Sequence, residues 1–286
     1  LSSTFTSTGF NNGLALRTSP ADRFEADLTI LAGFVNFDFT FDNKLSGNLG
    51  LRFERDEINA IWDVANFYDL VNKRERLGTL NRVYESLYPS VNLKLELAEN
   101  KYLRFASSVT QTLPEFKELS PFEYVSPTGR VTKGNPNLEK SQIYNFDVKY
   151  EMFPQKGQLF SASAFYKQIN DPINLAQTRG SSGYFFYANT GKKATVYGFE
   201  LEAKTDLLKN EDDESVLNLT GNITKMWLEQ DLLKDFQYKN VSESSLQGAS
   251  DFIANGSLSY SNHKENEFVT TLTGNYSSDK IFALGS

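Results

Sequence analysis

The chemistry open to this chain is limited first by its histidine count, which is one. His263 lies in a short polar connection, and a nucleophile–histidine–carboxylate relay needs an imidazole held beside both partners. A lone histidine on a turn is expected to be solvated, so no catalytic residue is assigned. Glu211, Asp212, Asp213 and Glu214 concentrate four carboxylates that would attract a divalent cation, yet they lack the alternating ligand spacing of a calcium loop. They read as a solvated turn, and neither a metal site nor a cofactor is assigned. There is no glycine-rich phosphate cradle. What remains is recognition chemistry. Gly183–Tyr187 presents Tyr184, Phe185 and Tyr187 in a run of exposed aromatic character, suited to stacking on a sugar or on the ring of a small ligand. The same rings also suit an aromatic girdle at a membrane interface. In the neighbouring connection Tyr124 adds a ring, while Arg130 and Lys133 add cations that could meet an anionic ligand.

These residues sit on connections between ten long stretches in which side chains alternate. Tyr144, Phe146, Val148, Tyr150 and Met152 alternate with Asn145, Asp147, Lys149 and Glu151; Tyr197, Phe199, Leu201 and Ala203 alternate with Gly198, Glu200, Glu202 and Lys204. A period of two marks strands. Several stretches run past ten residues, whereas strands of soluble sheets peak near 5–6. A strand of about 11 residues covers roughly 36 Å and, tilted by about 45°, crosses roughly 25 Å, the height of an outer-membrane apolar band. The connections alternate between short (42–44, 98–101, 154–157, 208–214, 261–265) and long (57–86, 113–140, 171–194, 230–250). Such a rhythm predicts an all-β, antiparallel, up-and-down transmembrane β-barrel with tight turns on one side and large loops on the other. A soluble antiparallel sheet with one solvated face is the alternative. In the barrel, Arg52, Lys94, Arg104 and Lys149 fall on the polar faces and line the lumen. The segment 64–83 has irregular apolar spacing and is expected to be loop.

Composition closes off other classes. The chain has 286 residues, no cysteine and a formal net charge of -7, which argues against nucleic acid as a partner. No apolar run approaches the ~20 residues that a spanning helix needs. Starting at Leu1 without a signal segment, the chain is expected to be a piece of a longer precursor.

Five ordered segments carry a more specific signal: LYPSVNLKLEL (87–97), PEFKELSPFEY (114–124), GNPNLEKSQIYNFDVKYE (134–151), NTGKKATVYGFELEAK (189–204) and LQGASDFIANGSLSYSN (246–262). Together they resemble the barrel domain of TonB-dependent outer-membrane receptors. The resemblance implies that residues 1–286 are about ten strands of a ~22-strand barrel, a partial barrel domain without the plug and final strands. It further implies residence in the outer membrane among its lipids, capture of a scarce small molecule (ferric siderophore, haem, cobalamin or glycan), and import driven by the TonB complex acting on the plug. A passive porin-type barrel and a soluble carbohydrate-binding module are the alternatives.

Overall fold

The computed structural model describes residues 23–64, 77–178, 183–237, 241–263 and 266–285. The chain runs through β1 (Arg23–Phe41), β2 (Leu45–Asp63), β3 (Leu77–Ala98) and β4 (Lys101–Thr112) into a single-turn helix, α1 (Phe116–Leu119). Then come β5 (Glu123–Val125), β6 (Val131–Lys133), β7 (Ser141–Met152), β8 (Leu159–Asn170), β9 (Ile173–Gln177) and β10 (Phe185–Asn189). The last elements are β11 (Lys193–Lys209), β12 (Ser215–Asp231), β13 (Glu243–Ser244), β14 (Phe252–Ser261) and β15 (Val269–Ser277), with a 3-10 turn at Lys234–Phe236. The ten long strands pair in the order β1-β2-β3-β4-β7-β8-β11-β12-β14-β15, each antiparallel to its neighbour, and β13 adds to β12. Among the described residues no helix is long and apolar enough to cross a membrane, which says nothing of crossing by strands.

The tight turns are built from residues that tolerate positive φ. At the first, Asp42 (φ 50°) and Asn43 (φ 53°) are both left-handed and the Lys44 amide donates to the Phe41 carbonyl at 3.2 Å, a type I′ hairpin turn. Asn100, Gly157, Asp213 and His263 supply one positive φ each to the other four. The His263 ring is a turn strut, its Nε2 2.7 Å from the Ser215 carbonyl. The acidic run is likewise turn furniture: Lys209 bonds Asp213 at 2.8 Å, and Asn210 bonds Glu214 at 2.7 Å.

Register sorts the two faces of the sheet. Phe37, Leu49, Val91, Ser107, Phe146, Tyr166, Tyr197 and Trp227 lie side by side across eight strands. The neighbouring row on the other face reads Lys94, Arg104, Lys149, Ser163, Glu200 and Thr224. Arg52 shares this polar face and bonds Glu54 at 2.7 Å. Arg104 meets Glu151 at 2.6 Å, and Lys149 bridges Glu151 at 3.5 Å and Glu202 at 3.4 Å. The four lumen candidates therefore share one face; Arg52, Arg104 and Lys149 pair there with carboxylates, while the Lys94 ammonium lies 4.0 Å from the centre of the Tyr102 ring.

One expectation is corrected. Alternation places the end of the second strand near Asp56 and the start of the third near Leu87, with loop between them. In the structure β2 continues to Asp63 and β3 begins at Leu77; residues 65–76 lie outside the described residues. The cause is a reversal of hydrophobic phase. From Leu45 to Phe53 the odd positions are apolar, but beyond them the odd positions are Arg55, Glu57 and Asn59, and the even positions become Ile58, Ala60, Trp62 and Val64. A window spanning the switch shows no period at all. At ~3.4 Å per residue, 19 residues cover roughly 65 Å, while a tilted crossing of the apolar band takes about 35 Å. Nearly half of β2 therefore stands clear of the band at the long-loop end, with its apolar side turned toward the loops.

That end holds the packed core. Ile58, Leu119 and Leu138 are each at most 1% exposed and gather Leu80, Tyr84, Ile173 and Tyr187. Ala60, Trp62 and Val64 gather Phe24, Ala26, Leu80 and Phe122. Gly78 is required here, since any Cβ would collide with the indole of Trp62. Along the rest of the sheet the apolar face stays open, with Phe146 and Leu201 each 44% exposed.

An open apolar face of this extent needs an apolar solvent. Arginine at Phe146 or Leu201 is expected to destabilise the protein assembled in a bilayer by about 2–4 kcal/mol, while arginine at Asn145 or Glu200 is tolerated. Denaturant titration of the four variants in lipid checks this, and equal loss at both pairs of positions refutes the assignment of faces.

Candidate functional site

The long connections do not hang free; they assemble into a second sheet ordered β5-β6-β10-β9. The β5–β6 hairpin belongs to the connection 113–140 and the β9–β10 hairpin to the connection 171–194. They join through a parallel pairing that sets Phe185 opposite Thr132 and Phe186 opposite Lys133. Isolated two-stranded hairpins are marginal in water, so each is stabilised by the other.

The Gly134-Asn135-Pro136-Asn137 stretch is the fastener. A Cβ on Gly134 would collide with the carbonyl of Ser120, so only glycine brings this backbone against the end of α1. The amide of Asn135 donates to the Glu118 carbonyl at 2.5 Å, and its side-chain amide donates to the Tyr187 carbonyl at 3.1 Å. Its side-chain oxygen accepts from the Asn137 amide at 3.0 Å, closing an Asx turn that drops Leu138 into the core. Arg82, reaching up from β3, donates to the carbonyls of Pro136 and Leu138 and pairs with Glu139 at 3.5 Å. One turn thus ties α1, β10 and the barrel wall together.

A polar cluster seats the connection on the wall. Pairing between β3 and β4 stops at Ser90 and Ser108. Above that point Gln111 donates to Glu54 at 3.1 Å and to the fully buried Asp56 at 2.5 Å, and accepts from Lys140 at 2.9 Å. Lys140 also bonds Ser86. Burial holds the Lys140 ammonium below the usual lysine range, with Asp56 and Glu54 pulling the other way. Burial likewise pushes the Glu118 carboxyl up, against the hydrogen bond it accepts from the Glu115 amide, and raises the Tyr187 phenol.

The six ligand candidates separate on this frame. Tyr187 packs into the core around Ile58, Leu119 and Leu138, a structural position. Tyr124 lies on β5 opposite Thr132, with the Lys117 ammonium 5.4 Å above its ring. Lys133 is on β6 beside Phe186. Tyr184 is 43% exposed at the start of the β10 arm, and residues 179–182 just before it lie outside the described residues. Arg130 and Phe185 meet: the guanidinium stands 5.2 Å from the Phe185 ring and 4.1 Å from that of Phe282. Nothing local to Phe282 in the sequence announces this; it arrives from beyond β15, where Leu284 bridges to Ala176. What the cap offers is the exposed Arg130 and Tyr184 beside the half-buried Tyr124, Lys133 and Phe185, on a braced frame. Among the described residues no group of three or more histidine, aspartate or glutamate side chains is placed to hold a metal ion.

Comparison with known proteins bears on the whole chain. A family model described as TonB dependent receptor-like, beta-barrel, matches residues 2–283. A search of curated proteins finds no match. Among solved structures, the chain is similar to the copper transporter OprC, with a TM-score of 0.62 at 16% identity, over 87% of this chain and 34% of that one. The ferric yersiniabactin uptake receptor FyuA from Yersinia pestis gives 0.62 at 13% identity, over 91% and 35%. The Serratia marcescens hemophore receptor HasR, solved with its hemophore HasA and heme, gives 0.59 at 14%, over 88% and 44%. At such identities the likeness is one of fold, and the chain spans about a third to under a half of these relatives' lengths. With the family model covering nearly every residue, the chain belongs to the TonB-dependent receptor-like β-barrel family of the outer membrane.

Proposed function

We propose that this chain forms the ligand-capturing part of an outer-membrane receptor that imports a scarce small molecule with energy from the TonB complex. The family match across residues 2–283 carries this reading. In it the sheet is about ten strands of a larger, ~22-strand barrel, its apolar face turned to lipid and the row Arg52, Lys94, Arg104 and Lys149 turned to the lumen. The plug that the TonB complex engages lies outside this segment. The cap sheet stands at the cell exterior and presents Tyr124, Arg130, Lys133, Tyr184 and Phe185 to the ligand. Rings and cations suit a ligand that combines flat unsaturated surface with negative charge, as a ferric siderophore or haem does. Import of this kind makes and breaks no covalent bond. A passive channel would have no need of a braced cap carrying exposed rings, which favours the receptor.

Two measurements test this. A cysteine placed at Thr128 should react with an impermeant maleimide on intact cells, and one at Gln155, on a short turn, should not; reaction at Gln155 in intact cells inverts the topology. Tyr184→Ala is expected to raise the half-saturation concentration for uptake about 2- to 12-fold, since an aromatic contact contributes ~0.5–1.5 kcal/mol. Radio-iron carried by a panel of ferric siderophores and by haem provides the readout, and unchanged half-saturation across the panel removes Tyr184 from the site.

A further inference from the structure

The segment that follows β15 turns back over the cap, where Leu284 is buried and the Gly248 amide donates to the Ile281 carbonyl at 2.9 Å. The Leu284 amide donates to the Leu175 carbonyl at 2.9 Å, and the Gln177 amide donates to the Leu284 carbonyl at 2.9 Å. Gln247 spans the junction, its side-chain amide donating to the Phe282 carbonyl at 2.6 Å and its oxygen accepting from the Leu175 amide at 2.6 Å. Beside these bonds lies a cluster drawn from three distant stretches of sequence. Phe282 meets Phe185 edge to face at 6.0 Å, and the Arg130 guanidinium covers both rings at 4.1 and 5.2 Å.

Arg130, like Lys117 over Tyr124, rests on rings, and this separates it from the oxygen-bonded cations around the cap. Arg82, Lys140 and Lys192 each bond oxygen acceptors. Arg130 is exposed, and among the described residues no carboxylate pairs with it. A guanidinium resting on partly exposed rings is held weakly, whereas a bidentate bond to an oxyanion is about twice as strong as a neutral hydrogen bond and matches the fork of its donors. An oxyanion arriving at the cap therefore competes for Arg130 on favourable terms. Once Arg130 leaves, Phe282, already 54% exposed, loses the cation that pins it to Phe185.

We propose that Arg130, Phe185 and Phe282 form a latch that holds residues 281–285 against β9, and that a ligand carrying a bidentate oxyanion opens it by drawing Arg130 off the rings. The proposal rests on the cap being the ligand-facing surface of a receptor. The test is amide hydrogen exchange in the full-length receptor in detergent, read at Gln177 and Leu284. Arg130→Ala should raise exchange at both amides about two- to fivefold, and Phe282→Leu at least as much. The amides of Phe186 and Ala188, inside the cap sheet, should keep their protection. Arg130→Met keeps the bulk without the charge and should behave like Arg130→Ala; full protection in Arg130→Met would show that packing alone holds the segment and overturn the latch. Citrate, titrated against chloride at matched ionic strength, should raise exchange at Gln177 and Leu284 in the unmodified receptor and have no further effect in Arg130→Met. Citrate without effect in the unmodified receptor overturns the oxyanion trigger. Heat-modifiable migration of the same samples reports barrel assembly separately, so failure of the receptor reading is distinguishable from failure of the latch.

Discussion

A backbone amide facing hydrocarbon has no partner except another strand, and each one left unpaired costs several kcal/mol. This single constraint shapes the ten long strands. Every one must be flanked by hydrogen-bonded neighbours along the apolar band, and consecutive antiparallel pairing is the shortest path of chain that achieves it. The chain must then reverse direction at alternate surfaces, which produces tight turns at one end and long excursions at the other. Side-chain chemistry follows from the same geometry, because successive residues of a strand see opposite solvents. Hence Phe146 and Tyr197 stand in one row while Lys149 and Glu200 occupy the other face. The polar row is stabilised by pairing rather than by burial: Lys149 sits between Glu151 and Glu202, so that face carries charge of both signs in a local balance.

Where the band ends, the constraint inverts. Above Phe53 the outer side of β2 meets water and the inner side meets loops, so the apolar residues change sides within a single unbroken strand. Ile58, Ala60 and Trp62 are buried only because Leu119, Leu138 and Phe122 come over to cover them. Wall and cap thus complete each other's core. The cap can be built from strands of three to five residues because it leans on strands of 19 and more that are anchored below.

This layering explains what could be read from the residues and what could not. The wall strands were legible because most keep one period over the crossing, cleanest in β7 and β11, and Asp42-Asn43, Asn100, Gly157, Asp213 and His263 mark the reversals. The extensions of β2 and β3 were hidden because Glu54–Glu57 is where two opposite phases meet, and a period that reverses looks like none. The cap sheet was illegible for another reason. β6 and β10 are short, lie more than 50 residues apart, and pair in parallel, so no local pattern signals them. The prolines at 114, 121, 127 and 136 did exclude a long strand through 113–140, and β5 and β6 fit between them. Among the ligand candidates, residue type alone could not separate Tyr187 from Tyr184. Tyr187, set opposite Leu175 by the pairing of β10 with β9, packs against the core of Ile58, Leu119 and Leu138, whereas Tyr184 precedes β10 and is exposed.

The two layers also differ in how they are held, and this difference bears on function. Wall pairings run for eight or more residues, and the strands between β1 and β15 share their bonds with neighbours on both sides, so no single substitution on the polar face removes much of the whole. Cap pairings run for two to five residues, and the segment 281–285 adds to β9 through a single bridge at Ala176 and Leu284. Local opening free energy scales with the contacts that must break together. The cap therefore opens far more readily than the wall, although Asn135 and Gly134 keep its centre fixed to β3 and α1. A receptor needs this gradient: a frame that stays in the membrane while its rim rearranges around a ligand. Here the gradient falls from the GNPN turn outward, through the β6–β10 pairing, to the Arg130 and Phe282 contact at the rim, where the bonds are fewest and the side chains most exposed.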